Sequence, residues 1–246
     1  MQTIEALYPV RPIQSPRLPC GELPDFDESD LVAIQQAFKA VKPCQLHQAW
    51  RSEPSLGFAP ASVRVGRRDD CLLVFAELTD QDIFSSARRF NQRLWELGDA
   101  FEIYLRPADQ TAYLQVDISP NNQRVQLRIP SAEAIRRAQT ANEFADLVSR
   151  ENMVRSATWL MPEDEKWFVY AAIPAQAVCG SANLRAEKRW FFSFARYDYT
   201  RGQLEPVISS TSPHGQANFH RPEEWGVIQF EHGSSARLEI GQLAAC

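Results

Sequence analysis

The chain has 246 residues, of which 44% are hydrophobic and 23% charged, a composition typical of a globular protein with a sizeable core. Its 26 basic and 31 acidic residues give a net charge of −5, so charge offers no reason to expect nucleic acid or an anionic membrane as partner. No stretch reaches the roughly 18 to 20 apolar residues of a membrane-spanning helix. The first 20 residues also lack the apolar run of a secretion signal, so we expect a soluble, cytoplasmic protein.

Residues 1–45 are predicted to be a proline-rich arm followed by a short helix, both packed on the main domain. Five of the 16 prolines lie within residues 1–25, and proline fixes φ and removes backbone donors, which favours an extended segment. Acidic residues at positions 27–30 precede apolar residues at helical spacing, which predicts a helix over about residues 29–40. Pro43 ends it.

From about residue 45 the hydrophobic pattern changes to a period of two, which is typical of β-strands. The alternating runs are rich in β-branched and aromatic residues and are separated by turn sequences. They lie near residues 63–65, 72–78, 101–105, 113–118, 125–129, 167–173, 190–194 and 227–230. This pattern predicts an all-β protein, a sandwich of about eight to eleven strands.

One segment interrupts the strands. Residues 131–148 contain frequent Ala and Glu, no Gly or Pro, and an apolar stripe at helical spacing, so they are predicted to form a helical insertion against an edge or face of the sandwich. No repeat or low-complexity segment is visible. We therefore expect one β-sandwich domain over residues 46–246.

Four motifs in this order carry a family resemblance: NQRLWELGDAFEIYL at 91–105, AYLQVDISPNNQ at 112–123, RWFFSFARYDY at 189–199 and NFHRPEEWGVIQF at 218–230. Together they resemble the family 9 carbohydrate-binding modules and the wider DOMON-like sandwiches. The resemblance covers roughly residues 60–230 and implies an antiparallel β-sandwich of jelly-roll or immunoglobulin-like type with short helical insertions. It also implies a binding protein without catalytic apparatus, acting in carbohydrate catabolism.

The resemblance implies a saccharide, or a related polyhydroxylated molecule, as the ligand. Sugars present an apolar face and a hydroxyl rim, so binding modules combine flat aromatic rings with polar groups. The matching positions here are Trp95 and Phe219 as a clamp for one sugar ring, Glu102 and Arg196 as polar contacts, and Asp99 beside them. Phe219 departs from the pattern, because sugar-binding members carry Trp there.

Each of these residues also has a structural interpretation. Trp95 could plug one end of the sandwich, and Phe219 could belong to the core. Glu102 could face solvent on an ordinary strand, and Arg196 could form an ion pair with Asp198 or Glu102. Asp99, which follows a glycine, could only hydrogen-bond the backbone of a turn.

A calcium site is the one cofactor that the sequence suggests. Asp80, Asp82 and Asn91 lie in the loop region where some sugar-binding relatives hold calcium, and Ca²⁺ takes six to eight oxygen ligands. Two carboxylates and one amide supply only part of that set. We expect no other cofactor and leave the oligomeric state open.

Two alternative functions remain at this stage. A glycoside-processing enzyme would need two carboxyls across a cleft, and Asp99, Glu102 and Asp117 could converge, although no catalytic motif accompanies them. A haem-binding domain of the DOMON type would need axial ligands, for which Met153, Met161 and His220 are the candidates.

Overall fold

The computed structural model describes residues 14–138, 141–149, 151–180, 184 and 189–231. Two β-sheets pack face to face and form a sandwich, with four short α-helices at its margins. The fold class predicted from the sequence is therefore confirmed. Residues 1–13 of the predicted arm, and the chain after residue 231, lie outside the described residues.

The larger sheet has seven strands. Its order is β1-β12-β10-β5-β6-β7, and β11 pairs with the second half of β10. All of its pairs are antiparallel except β1 with β12, which is parallel. The strands are β1 (Arg17–Cys20), β5 (Ala100–Pro107), β6 (Tyr113–Ile118), β7 (Arg124–Ile129), β10 (Arg189–Asp198), β11 (Val207–Ser210) and β12 (Gly226–Phe230).

The smaller sheet has five strands in the order β2-β3-β4-β9-β8, all antiparallel. They are β2 (Cys44–Gln45), β3 (Ala61–Arg68), β4 (Cys71–Thr79), β8 (Arg155–Met161) and β9 (Lys166–Pro174). β4 and β9 are central and nearly all their residues are buried, whereas β8 is an exposed edge strand.

The helices are α1 (Leu31–Ala37), α2 (Ala132–Arg137), α3 (Ala141–Leu147) and α4 (Ala175–Cys179). Asp30 caps α1 by accepting a hydrogen bond from the Val32 N–H, as the acidic run before it predicts. The insertion predicted as one helix over 131–148 forms two short helices, α2 and α3, which lie against β7. No helix among the described residues is long and apolar enough to cross a membrane.

The main core lies between the two sheets. Alternate residues of each strand point into it, among them Phe101 and Phe194, whose rings stack with centroids 6.1 Å apart. Each such side chain contributes roughly 1.5 to 3 kcal/mol when fully buried. A second apolar cluster covers the opposite face of the seven-stranded sheet, and a third lies between α1 and the outer face of the five-stranded sheet.

Part of the predicted surface arm is instead a strand of the sandwich. β1 pairs with β12 along its length, and the Val227 N–H donates to the Pro16 carbonyl. Its Pro19 is tolerated because β1 is an edge strand. Gly226 permits this close approach, since a Cβ at that position would lie 2.7 Å from the Pro16 oxygen and 2.6 Å from the Phe192 ring.

Candidate functional site

A polar patch lies on the seven-stranded sheet, on the face turned away from the main core. On β5, Phe101 and Ile103 point into the main core, so Glu102 and its neighbour Tyr104 point to the opposite face. The same alternation on β6 places Gln115 and Asp117 on that face. We call these four residues the polar patch.

Strand register brings the patch together in two adjacent rows. Glu102 pairs directly with Asp117, and Tyr104 pairs with Gln115. The Tyr104 hydroxyl donates to Glu102 Oε2 at 2.6 Å. The Gln115 amide nitrogen lies 3.0 and 3.1 Å from the two Asp117 carboxylate oxygens. Across β10, Glu102 faces the small side chain of Ala195.

Both carboxyls of the patch are withdrawn from solvent, with Glu102 1% exposed and Asp117 fully buried. Burial raises the pKa of Glu102, and the hydrogen bond from Tyr104 only partly opposes this. Burial also raises the pKa of Asp117, and the nearby charge of Glu102 raises it further, against the hydrogen bond from Gln115. The patch therefore favours at least one protonated carboxyl near neutral pH.

An aromatic layer covers the patch. Phe219 is 3% exposed, and its ring packs against Trp50, Tyr104, Tyr197 and His214 at centroid distances of 5.9 to 6.4 Å. Trp225 packs against Tyr104 and donates its indole N–H to the Phe219 carbonyl. The exposed platform predicted at Phe219 is therefore not what the structure shows, because the ring is part of the second apolar cluster.

Trp95 belongs to the same layer but is only partly buried. It lies within the short 3₁₀ turn Leu94–Glu96, and its ring packs edge-on against Phe144 of α3, with centroids 5.6 Å apart. The Arg93 guanidinium also lies over the Phe144 ring, with its Cζ atom 4.7 Å from the ring centre. The helical insertion therefore supports the aromatic residue that the resemblance assigns to sugar binding.

A chain of hydrogen bonds holds the segment that carries Phe219. Glu224 lies 3.0 Å from His214 Nδ1 and pairs with Arg221 at 2.7 and 2.8 Å. The other His214 nitrogen lies 3.5 Å from Ser193 Oγ on β10. The hydrogen bond from Arg221 lowers the pKa of Glu224 to about 2, and burial lowers that of His214. Since Ser193 is fully buried within a strand, we assign this chain a structural role.

Arg196 and Asp99 do not lie on the patch. Arg196 pairs with Phe101 in the sheet register, so it points between the sheets, where its guanidinium contacts Asp80 at 2.9 Å and Asp198 at 3.1 Å. Asp99 accepts hydrogen bonds from the backbone of Phe84 and Tyr199, at 2.7 and 2.8 Å. The contacts of both residues are therefore structural: Arg196 forms ion pairs, and Asp99 holds the backbone of two loops.

The predicted calcium ligands are only partly brought together. Asp80 lies with Asp99 and Asp198, all within 4.8 Å of one another, whereas Asp82 pairs with Arg201 and Asn91 is exposed at a turn with positive φ. The Arg196 guanidinium already contacts two of the three clustered carboxyls. Burial raises the pKa of Asp198 to about 7 and also raises that of Asp99, where the charge of Asp80 adds to the effect.

The residues considered for haem lie apart. Met161 ends β8 of the five-stranded sheet, and Met153 precedes that strand. His220 packs on the seven-stranded sheet, where its Nδ1 lies 2.8 Å from the Tyr113 hydroxyl. Burial lowers the pKa of His220 to about 4. No pair of these side chains is positioned to coordinate one iron from opposite sides.

Sequence reasoning singled out Glu102, Trp95 and Phe219, which lie in the polar patch or in the aromatic layer, but it did not single out Tyr104, Gln115 or Tyr197. A signal was present in the β6 sequence YLQVDI, where two polar residues alternate with apolar ones on a strand of a predicted sandwich. The same alternation in FFSFAR groups Arg196 with the core residues Phe192 and Phe194, and so separates it from Glu102.

These features define a β-sandwich with a covered polar patch on its larger sheet. Solved structures with a similar fold include the following three. A candidate carbohydrate-binding protein from Bacteroides uniformis superposes with a TM-score of 0.69 at 15% identity, covering 89% of this chain and 100% of that one. A family 9 carbohydrate-binding module from Caldicellulosiruptor kristjanssonii, solved with cellotriose, gives 0.60 at 16% identity, covering 92% and 100%.

A structure of a family 9 carbohydrate-binding module from Caldicellulosiruptor kristjanssonii with glucose gives a TM-score of 0.58 at 16% identity, covering 89% of this chain and 98% of that one. No family model matches the chain, and no curated protein does either. At these identities the comparisons establish the fold, and they confirm the family 9-like fold that the sequence motifs predicted.

Proposed function

We propose that the protein binds a saccharide at the polar patch. The observation that carries this proposal is the patch itself, in which hydrogen-bonding side chains from two neighbouring strands lie beneath a layer of aromatic rings. Hydroxyl rims and apolar sugar faces are matched by these two kinds of group. The presence of cellotriose and glucose in structures of the same fold supports a saccharide as the ligand class.

Binding requires the aromatic layer to move, because Phe219 and the carboxyls are covered. Trp95, like Trp50, is a partly exposed member of the layer and is therefore accessible to a ligand before the layer moves. Glu102 would then accept hydrogen bonds from sugar hydroxyls. We propose that Glu102 and Phe219 both contact the bound saccharide.

The carboxyl pair does not favour glycosidase chemistry. An acid and a base or nucleophile must flank the scissile bond. Glu102 and Asp117 are cross-strand neighbours and therefore lie on the same side of any ligand placed on the sheet. Asp99, the third candidate, lies apart from them and bonds the backbone of Phe84 and Tyr199. We accordingly propose binding without turnover.

Calorimetric titration with glucose and cellotriose tests the proposal. Trp95→Ala should weaken binding by about tenfold to a hundredfold, because a stacking ring contributes on the order of 1 to 3 kcal/mol. Trp159→Ala is the matched control, since Trp159 is also partly buried but lies on the five-stranded sheet. Equal affinities for the two variants would exclude the polar patch as the binding site. No binding by the wild type would exclude saccharide binding as the function.

A further inference from the structure

The polar patch is rich in acceptors and holds no cation. Glu102 and Asp117 face each other across one strand pair, and no salt bridge to either carboxyl is present within the described part of the chain. Two arginines on β5 and on its neighbour β10 are engaged elsewhere. Arg196 contacts Asp80 between the sheets, and Arg106 donates to the Gln110 carbonyl and stacks on Phe191.

The groups that surround the carboxyls are neutral. Tyr104 and Tyr197 lie beside them, and burial raises the pKa of both hydroxyls, with the charges of Glu102 and Asp117 adding to the shift. His220, which packs on Tyr104, is neutral near pH 7 because burial lowers its pKa. A buried, uncharged environment around two adjacent carboxyls favours the binding of a proton, and a positively charged ligand would neutralise them in its place.

Gln115 gives an independent indication of a missing donor. Its side chain is 2% exposed, and its amide nitrogen bonds both oxygens of Asp117. Its carbonyl oxygen Oε1 is buried and has no hydrogen-bond partner among the residues that the structure describes. Buried acceptors are normally satisfied, so an orphaned oxygen beside two carboxyls marks a place where a donor is expected.

A protonated amine would satisfy all three groups at once. An ammonium offers three N–H donors and a positive charge, whereas a sugar hydroxyl offers one donor and no charge. We infer that the saccharide recognised at the polar patch carries a protonated amino group, which binds between Glu102, Asp117 and the Oε1 atom of Gln115. This inference rests on the proposed function and specifies its ligand class.

Three monosaccharides of nearly the same shape test the inference by calorimetry at about pH 6, where a sugar amine is protonated. They are glucosamine, N-acetylglucosamine, whose nitrogen is an uncharged amide, and glucose. Glucosamine should bind at least about tenfold more tightly than the other two, because charge-assisted hydrogen bonds are roughly twice as strong as neutral ones. Equal affinities would overturn the inference and leave the proposed function standing. No binding of any of the three would overturn the proposed function itself.

Two variants test whether the preference for glucosamine arises at the polar patch. Asp117→Asn and Glu102→Gln should each reduce the glucosamine preference to about onefold to threefold. Asp69→Asn is the control, because it removes one carboxylate from the exposed turn between β3 and β4 and should leave the preference unchanged. A preference that survives both patch variants would overturn the inference.

Discussion

Glu102 is the residue whose environment differs most from what its position on a strand predicts. A carboxyl on the outer face of a sheet normally meets water, but here the aromatic layer excludes it. The raised pKa of Glu102 means that the folded protein holds a proton which the unfolded chain releases near pH 4.5. The contribution of Glu102 to stability is therefore highest below that value and declines as the pH rises towards the higher pKa of the folded state.

Glu102→Gln should flatten this pH dependence. The variant should be more stable than the wild type at pH 8 by at least about 1.4 kcal/mol, which is the equivalent of one pKa unit, and the difference should shrink at pH 4. Urea unfolding at the two pH values measures it. Glu77→Gln is the control, since this side chain pairs with Lys166 at a partly exposed site and should change stability by less than about 1 kcal/mol. Parallel pH profiles for wild type and Glu102→Gln would contradict the interpretation.

At the scale of elements, the segment between β11 and β12 closes the polar patch. It carries Phe219 and Trp225, and the hydrogen bonds of Glu224 to His214, Arg221 and the Gly215 N–H hold it in place. The lowered pKa of Glu224 means that this contribution is fully present above about pH 4.3, the value in an unfolded chain, and is lost as the pH falls towards 2.

Glu224→Gln should loosen the segment without unfolding the sandwich. Hydrogen exchange in residues 213–225, followed by mass spectrometry at pH 7, should become at least about tenfold faster, because a carboxylate with three hydrogen-bonding partners is lost. Glu223→Gln is the matched control, since the Glu223 carboxylate is next to Glu224 in sequence but is 63% exposed and lies 3.5 Å from Arg221. Similar exchange rates in the two variants would show that packing of Phe219 and Trp225, rather than Glu224, holds the segment.

The strands that sequence patterns predicted are those with regular alternation and β-branched or aromatic residues, such as β4, β5 and β9. The missed strands lack that signal. β1 lies among prolines, β8 is an exposed edge strand, and β11 has four residues. The partner of β1 is distant in sequence, so local propensity could not reveal that pairing. β8 and β11 pair with the neighbouring strands β9 and β10, but their short or exposed sequences lack the alternation of a buried strand.

The candidate site was predictable to a similar extent. The motif around Glu102 and Trp95 could be located, and alternation was sufficient to place Arg196 on the core side. The covered state of the patch could not be predicted, because period-two alternation does not tell whether the second face of a sheet meets water or another layer. Here the insertion over α2 and α3 and the segment before β12 supply that layer.

At the scale of the whole molecule, the seven-stranded sheet is completed at one edge by the pairing of the two strands that lie farthest apart in sequence. β1, near residue 17, pairs with β12, near residue 227, whereas β5, β6 and β7 are joined by short turns. Contacts between residues far apart in sequence carry a large loop-closure cost and form late unless other contacts have already brought them together. We therefore expect the β5–β7 meander to form before β12 docks between β1 and β10.

Two matched substitutions test this order of folding. Ile103 on β5 and Ile228 on β12 are both fully buried in the main core, and Ile→Val at each should cost about 0.5 to 1.5 kcal/mol. Stopped-flow refolding and unfolding in urea should show that Ile103→Val mainly slows folding, whereas Ile228→Val mainly accelerates unfolding. The matched chemistry of the two sites makes the comparison independent of the size of the removed group. Folding slowed equally by both substitutions, or more by Ile228→Val, would show that β12 is already docked in the transition state.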